Sequence, residues 1–306
     1  MLFSLVISWP AVSQAQKQMT VATASLGGAY YPIGNGIAEL VNKYVSGVKM
    51  TAEVTGGTVE NVRLVGDNQT DLGICNSNHA YAGLRGQPPY KKKYEIRALG
   101  SLHGSAMHIV TIDKAGVKTI PDLKGKKVAA GPAGGGPAPV LESILSVYEG
   151  MSFKDIKPSY VSFTDGISAL KDGNVSAALV LAGVPAAAVL ELGATEKVRF
   201  VDIPKEKMAE ILKKYPYFYP VKIPARVYKT DQDHILVGVR NLLIVNAQME
   251  DKMAYEITKA IYAHLSDLAK HHAAVKSVRL DDSATPPGVP LHPGAMRFFK
   301  EAGVLK

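Results

Sequence analysis

Cysteine is almost absent. Cys75 stands alone among 306 residues, so no internal disulfide framework can staple the fold. It follows Leu72 and Ile74 in an apolar run, which predicts a packed thiol rather than a nucleophile. Catalytic signatures are missing as well. The glycines never make G-x-G-x-x-G, and there is no G-x-x-x-x-G-K-[ST], no G-x-S-x-G and no H-E-x-x-H. Nucleotide binding and hydrolase chemistry thus lose their simplest support, and no carboxylate pair stands out for acid–base work. Charge is sparse too, at 20% of residues, with a net value of +8. The densest basic run, Lys91-Lys92-Lys93, is short and carries only flanking tyrosines, so nucleic acid is not an expected partner. A solvated basic face, or a mild bias toward acidic small molecules, fits better. The longest apolar stretch, "VSAALVLAGVPAAAVLELGA" at 175–194, is broken by Gly183 and Pro185. It reads as a buried strand, a turn and a helix beginning at Pro185, where proline suits the first helical position, and not as a membrane span.

What is present points outward from the cell. Leu2 to Trp9 are mostly apolar, and Ser13-Gln14-Ala15 has the small-x-small form of a signal-peptidase site, although a basic leading segment is missing. Residues 1–15 are therefore expected to be a signal peptide, whole or truncated, and the protein to be exported.

Beyond the leader, short apolar runs alternate with helical patterns. "TVATAS" (20–25), "MTAEVTG" (50–56) and "TDLGICN" (70–76) read as strands. Between them lie a helix with Ile37, Leu40, Val41, Tyr44 and Val45 on one side and another carrying Val59, Val62 and Val65. The rhythm restarts with the strand "KKVAAG" (126–131) and a helix with Val140, Ile144, Leu145 and Tyr148. Aligning Asn68 with Asn174 superposes two helix-end, turn and strand segments at an offset of 106, which supports two similar lobes. Strands are expected at 96–101 and 108–112, and "GVRNLLIVNA" (238–247) reads as a strand that carries the chain back. The expectation is an α/β fold of two lobes, each a mostly parallel sheet flanked by helices, joined by two crossover strands. Lobe I would hold residues 16–110 and 239–306, and lobe II residues 111–238.

In open α/β sheets the ligand lies beyond the carboxyl ends of the strands. The turns at those places are Gly27-Gly28-Ala29-Tyr30-Tyr31, Thr55-Gly56-Gly57-Thr58, Asn76-Ser77-Asn78, Gly131 to Gly136, and Ala182-Gly183-Val184. Glycine lets backbone approach a ligand, and the helices that follow offer unpaired N–H groups to an anion. Thr, Ser and Asn add neutral hydrogen bonds, and Tyr30 or Tyr31 is placed to close over an apolar chain. Such residues also serve turns and caps in any βα loop. His103 is a candidate for facing the cleft and His108 for a packed strand position. The adjacent pair His271-His272 projects in different directions from a helix and makes no metal site; no metal or cofactor is expected.

Seven segments, in order, carry a resemblance: "GGAYYPIGNGIAELVNKY", "TGGTVENVRLVGDNQTDLGICNSNHAY", "SLHGSAMHIVT", "DLKGKKVAAGPAGGG", "VLAGVPAAAVLEL", "YPVKIPARVY" and "PLHPGAMRFFKEAG". Together they resemble the TAXI family, the solute-binding proteins of tripartite ATP-independent periplasmic (TRAP) transporters. The resemblance implies a monomeric periplasmic protein with a two-lobed, type II periplasmic-binding fold. It implies a small organic acid or amino acid ligand, such as glutamate or a dicarboxylate. The solute would pass to TRAP membrane subunits, fused or separate, driven by an ion gradient. The resemblance maps the cleft onto Gly28, Tyr30, Tyr31, Thr55, Gly57, Thr58, Ser77 and Asn78. Ala29, His103, Gly134, Gly135, Gly136 and Val184 join them from the turns read above. Two departures stand out. The second-lobe loop usually reads Gly-Ser-Gly-Thr and here reads Gly134-Gly135-Gly136-Pro137, and Asn78 stands where an acidic residue is common. The alternatives are a sensor that reports solute to a receptor, and an enzyme in the same cleft for which only His103 is offered as acid or base.

Overall fold

The computed structural model describes residues 16–24, 29–133 and 135–306; the expected signal peptide, Gly28 and Gly134 lie outside them. The chain begins with β1 (Lys17–Ala22), α1 (Tyr30–Tyr44), β2 (Val48–Glu53), α2 (Thr58–Gly66), β3 (Leu72–Asn76), α3 (Ser77–Arg85) and the long β4 (Ile96–Thr111). It continues through β5 (Lys127–Ala129), α4 (Pro137–Leu145), β6 (Lys157–Ser159), α5 (Phe163–Lys171), β7 (Ala177–Ala182), α6 (Ala187–Thr195), β8 (Arg199–Phe200) and α7 (Lys205–Lys214). After β9 (Phe218–Ile223) and α8 (Ala225–Tyr228), β10 (His234–Asn246) returns the chain to α9 (Asp251–Tyr262), α10 (Leu265–His271), α11 (Leu280–Ser283) and α12 (Pro293–Glu301).

The strands lie in the order β2-β1-β3-β10-β4-β7-β5-β6, with β8 on β4 and β9 on β10. Pairing is parallel at the two ends, where helices cross between strands, and antiparallel through the middle, where β10 lies against β3 and β4, and β4 against β7. Each half is thus mostly parallel, as expected, and the sheet as a whole is mixed because the antiparallel pairs are all made by the two long crossover strands β4 and β10.

Alternation along β10 shows how the cores form. Leu242 and Ile244 face one apolar cluster with Val62, Val65 and Cys75; Leu243 and Val245 face another with Val21, Ile37 and Val41. Earlier in the same strand, Val237 and Val239 join a third cluster with Val128 and Ile144, and Leu236 a fourth with Val180 and Leu192. The long β4 changes clusters in the same way, between Leu102 and Ala106. At the changeover the strands carry His103, Gly104 and Ser105 on β4 and Arg240 and Asn241 on β10, and none of these belongs to a cluster.

Several sequence expectations are corrected. Residues 96–101 and 108–112 belong to a single strand. Gly100 and Gly104 within it give room to tyrosine: a Cβ there would collide with the Tyr262 and Tyr219 hydroxyls respectively. The helix expected at Pro185 starts at Ala187. The internal correspondence falls at an offset of 105: β3 starts at Leu72 and β7 at Ala177, and the left-handed turn residues are Asn68 and Gly173. Tyr44 is exposed, its ring stacked on His264 at 3.8 Å, while Cys75 is buried as expected.

A candidate ligand-binding cleft

Four helices begin where the two halves face each other. α1 starts at Tyr30, α2 at Thr58, α3 at Ser77 and α4 at Pro137, and none has a side-chain cap. Their first-turn amides lack partners within the helix, as at any helix start. The starts converge through side chains. Tyr30 Oη lies 3.4 Å from Thr58 Oγ1, and the Thr58 hydroxyl donates to Asn76 Oδ1 at 3.2 Å. Gly136, at the start of α4, comes so close to Asn76 that an added Cβ would sit 2.8 Å from Asn76 Oδ1.

Asn241, at the polar changeover of β10, ties this group together. Its Oδ1 accepts from the Tyr30 hydroxyl at 2.7 Å and from Asn76 Nδ2 at 2.8 Å. Its Nδ2 donates to the His103 carbonyl at 2.7 Å and reaches Ser105 Oγ at 3.2 Å. Asn241 is 1% exposed, so all four bonds are made away from water. Burial pushes the Tyr30 phenol well above its ordinary pKa, which keeps it a donor.

Beside this network opens a cleft of about 1070 Å³. Lobe I contributes Gly56, Val59, Arg63, Asn78 and His79, and lobe II contributes Pro132, Gly135, Pro139, Tyr160 and Tyr217. Asn78 Oδ1 and His79 Nε2 are buried with no hydrogen-bond partner among the described residues. Burial lowers the His79 pKa to about 4, so the ring is neutral at physiological pH.

The structure separates the expected site residues into groups. Asn78 and Gly135 line the cleft, while Ala29, Tyr30, Thr58 and Gly136 form the helix starts around the Asn76–Asn241 group. His103 lies within β4, not after it; it is 3% exposed, presents its ring edge-on to Tyr30 at 6.4 Å, and its Nδ1 has no partner among the described residues. Thr55 is occupied locally, its hydroxyl 2.6 Å from Asn61 Oδ1 and accepting from the Gly57 amide at 3.0 Å. The Gly56 amide is taken by the Glu60 carboxylate, which leaves the Thr58 and Val59 amides at the open end of α2. Gly57 itself has φ +93°, where glycine alone sits without strain. The Ser77 hydroxyl donates to the Tyr217 carbonyl at 3.1 Å, a bond between the halves and not a free ligand donor. Tyr31 is half-buried; Val184 is exposed after β7 and does not line the cleft.

Sequence reasoning passed over Asn241, His79 and Tyr217. Arg240-Asn241 interrupts an otherwise apolar strand, and that interruption was the available signal. His79 had none, since one histidine in a helix also suits packing. His108, by contrast, is the packed residue expected: Nδ1 meets the Val180 carbonyl at 2.9 Å and Nε2 the Tyr228 hydroxyl at 2.8 Å. Among the described residues no cluster of side chains is arranged to hold a metal.

A mixed α/β sheet whose two halves share a pair of long strands and enclose a cleft is the two-lobed, type II architecture of periplasmic solute-binding proteins. The chain belongs to the NMT1-like family, whose profile matches residues 21–303. Among solved structures it is similar to a protein of Bordetella bronchiseptica RB50, at 17% identity over 95% of this chain and 90% of that one, with a TM-score of 0.53. It is similar to the putative periplasmic sulfonate-binding protein SsuA of an ABC transporter from Methylobacillus flagellatus KT, at 16% identity over 95% and 89%, TM-score 0.51. It is also similar to the Xanthomonas citri protein XAC2383 bound to chloride, at 10% identity over 94% and 97%, TM-score 0.54. No helix among the described residues is long and apolar enough to cross a membrane.

Proposed function

We propose that this chain is an extracytoplasmic solute-binding protein that captures a small organic acid or amino acid between its lobes and delivers it to the membrane subunits of a TRAP-type transporter. The observation that carries the binding role is the convergence of the α1, α2, α3 and α4 starts, two unpartnered buried side chains and a cleft between the halves. Free amides at the positive ends of helix dipoles suit a carboxylate. The TAXI resemblance supports ion-gradient coupling; the sulfonate-binding relative of an ABC transporter also handles an anionic head group, which supports the chemistry and leaves the membrane partner to experiment.

Binding and closure are linked. In this reading the lobes hinge where β4 and β10 change clusters, at His103–Ser105 and Arg240–Asn241. First-lobe amides at Thr58 and Val59 receive the anion, and the second-lobe amides of Gly136 and Ala138 complete the shell, since the Gly135 amide is taken by the Pro132 carbonyl and Pro137 and Pro139 carry no N–H. Moving a lobe equilibrium from 1:99 to 99:1 takes about 5.5 kcal/mol of differential affinity. Charge-assisted hydrogen bonds at roughly 1.5–3 kcal/mol each supply that with a few contacts. Thermal-shift measurements with carboxylates and sulfonates, followed by small-angle scattering with and without the best ligand, test the reading. A stabilising anion that also compacts the protein is expected; the absence of any shift at millimolar concentration refutes it.

A further inference from the structure

We infer that the solute is an acid bearing one negative charge and a flat aromatic body, gripped by its polar edge on Asn78 and His79 and by its face on Tyr160 of the opposite lobe. The inference rests on the solute-binding reading and narrows its ligand. Three observations support it. First, the cleft measures about 1070 Å³, at the upper end of the 300–1,000 Å³ typical of small-molecule pockets, so a four- or five-carbon acid would leave much of it to water. Second, the second-lobe wall is aromatic. Tyr160 and Tyr217 line it, and Tyr160 stands 50% exposed, a large ring with nothing over it among the described residues. Tyr217 is held by its neighbours: its ring packs on Tyr81 of the facing lobe at a 4.9 Å centroid distance, and its carbonyl accepts from Ser77. Tyr217 is 8% exposed and already covered, so the open face is that of Tyr160, and an uncovered ring gains most from covering by another flat apolar surface.

Third, the polar inventory is small and specific. Asn78 and His79 are 7% and 2% exposed, and each carries a buried atom with no partner among the described residues. An unpaired buried polar atom is costly, and a ligand group that pairs with it recovers that cost. The neutral imidazole and the amide both offer hydrogen bonds without adding charge. Arg63 is the one cationic side chain of the lining, set against Glu60 and Glu142, so a dicarboxylate is opposed more strongly than a monocarboxylate. A single carboxylate on the helix amides, with a ring reaching along the tyrosine wall, satisfies all three observations.

The test is calorimetry and thermal shift on the full chain with phenylacetate, 4-hydroxybenzoate and indole-3-acetate, set against glutamate and succinate. Tyr160→Ala is the first variant, because a half-exposed ring is removable without loss of core; His79→Ala is the second. The expected result is tighter binding of at least one aromatic acid than of glutamate or succinate, weakened about tenfold by Tyr160→Ala, as the loss of one aromatic contact predicts. Binding of glutamate or succinate with the aromatic acids silent overturns this inference and leaves solute capture standing. Aromatic-acid binding indifferent to Tyr160→Ala overturns the wall assignment. Silence with every acid overturns both this inference and the function it rests on.

Discussion

Replacing Asn241 with alanine tests the central claim most directly. The side chain is buried and makes four hydrogen bonds, to Tyr30, Asn76, the His103 carbonyl and Ser105. Alanine removes all four, stranding Asn76 Nδ2 and taking away the side-chain donor to the His103 carbonyl. Tyr30 keeps only the longer contact to Thr58, at 3.4 Å. Each stranded buried group costs about 1–3 kcal/mol, and two or three of them give a loss of roughly 3–6 kcal/mol. At about 2–4 °C per kcal/mol, the value for chains of about 150–250 residues, the melting temperature falls by roughly 6–24 °C. The assay is a thermal melt of the purified protein, with circular dichroism to confirm a native fold below the transition. The contrast is Asn246→Ala: its amide makes longer bonds, at 3.2 and 3.3 Å, to Val65 and Gly66 carbonyls, so a smaller loss is expected. A drop below 2 °C for Asn241→Ala, or equal drops for both variants, would show that the network is not the knot described here.

Further predictions follow from close approaches and buried rings. Gly136→Ala sets a methyl 2.8 Å from Asn76 Oδ1 and 2.7 Å from Leu181, so closure should weaken; scattering should show a more open average and ligand affinity a fall of about tenfold or more, with the melting temperature of the free protein little changed. Gly294→Ala drives a methyl into the Asp251 carbonyl and places it 2.7 Å from the Tyr255 amide, backbone on α9 that has nowhere to go; a loss of about 2 kcal/mol or more is expected in chemical unfolding, and an unchanged midpoint would contradict the α9–α12 packing. Gly57→Val meets a backbone at φ +93° and ψ −150° and should reduce ligand affinity by distorting the α2 start; wild-type affinity would make that turn purely structural. Burial holds His79, His103 and His108 to pKa values of about 4, below the ordinary 6.5. The unfolded chain therefore takes up protons below pH 6.5 that the folded one refuses, and stability falls as pH drops from 6.5 toward 4, by up to about 4 kcal/mol per pH unit if all three contribute. Melting temperatures that stay level between pH 6.5 and 4.5 would refute this.

Much of the fold could be read in the residues, and the limits have physical causes. The βα alternation, the buried strand at 177–182 and the packed thiol follow from periodicity, which reports burial directly. The single strand of residues 96–111 was hidden because Gly100 and Gly104 look like breaks in one dimension, and become clearances for tyrosine rings only once the far helices and strands arrive. The site was half legible. Turn positions after strands are fixed by topology, so Thr58, Asn78 and Gly136 could be named in advance. Whether a hydroxyl there is free is a matter of neighbours: Thr55 is consumed by Asn61, and Ser77 by Tyr217 from the other lobe. Asn241 lies more than 160 residues from Asn76 in sequence, and a single chain gives no measure of that proximity.

The 16-residue β4 and the 13-residue β10 run side by side through both halves, each giving one end to one pair of cores and its other end to the other pair. Neither half owns a complete set of strands. Heat or denaturant applied to either end should consequently dissolve the whole molecule in one transition, and excising one half at the narrow middle should yield two fragments that are sticky at their cut strand edges instead of two small soluble proteins.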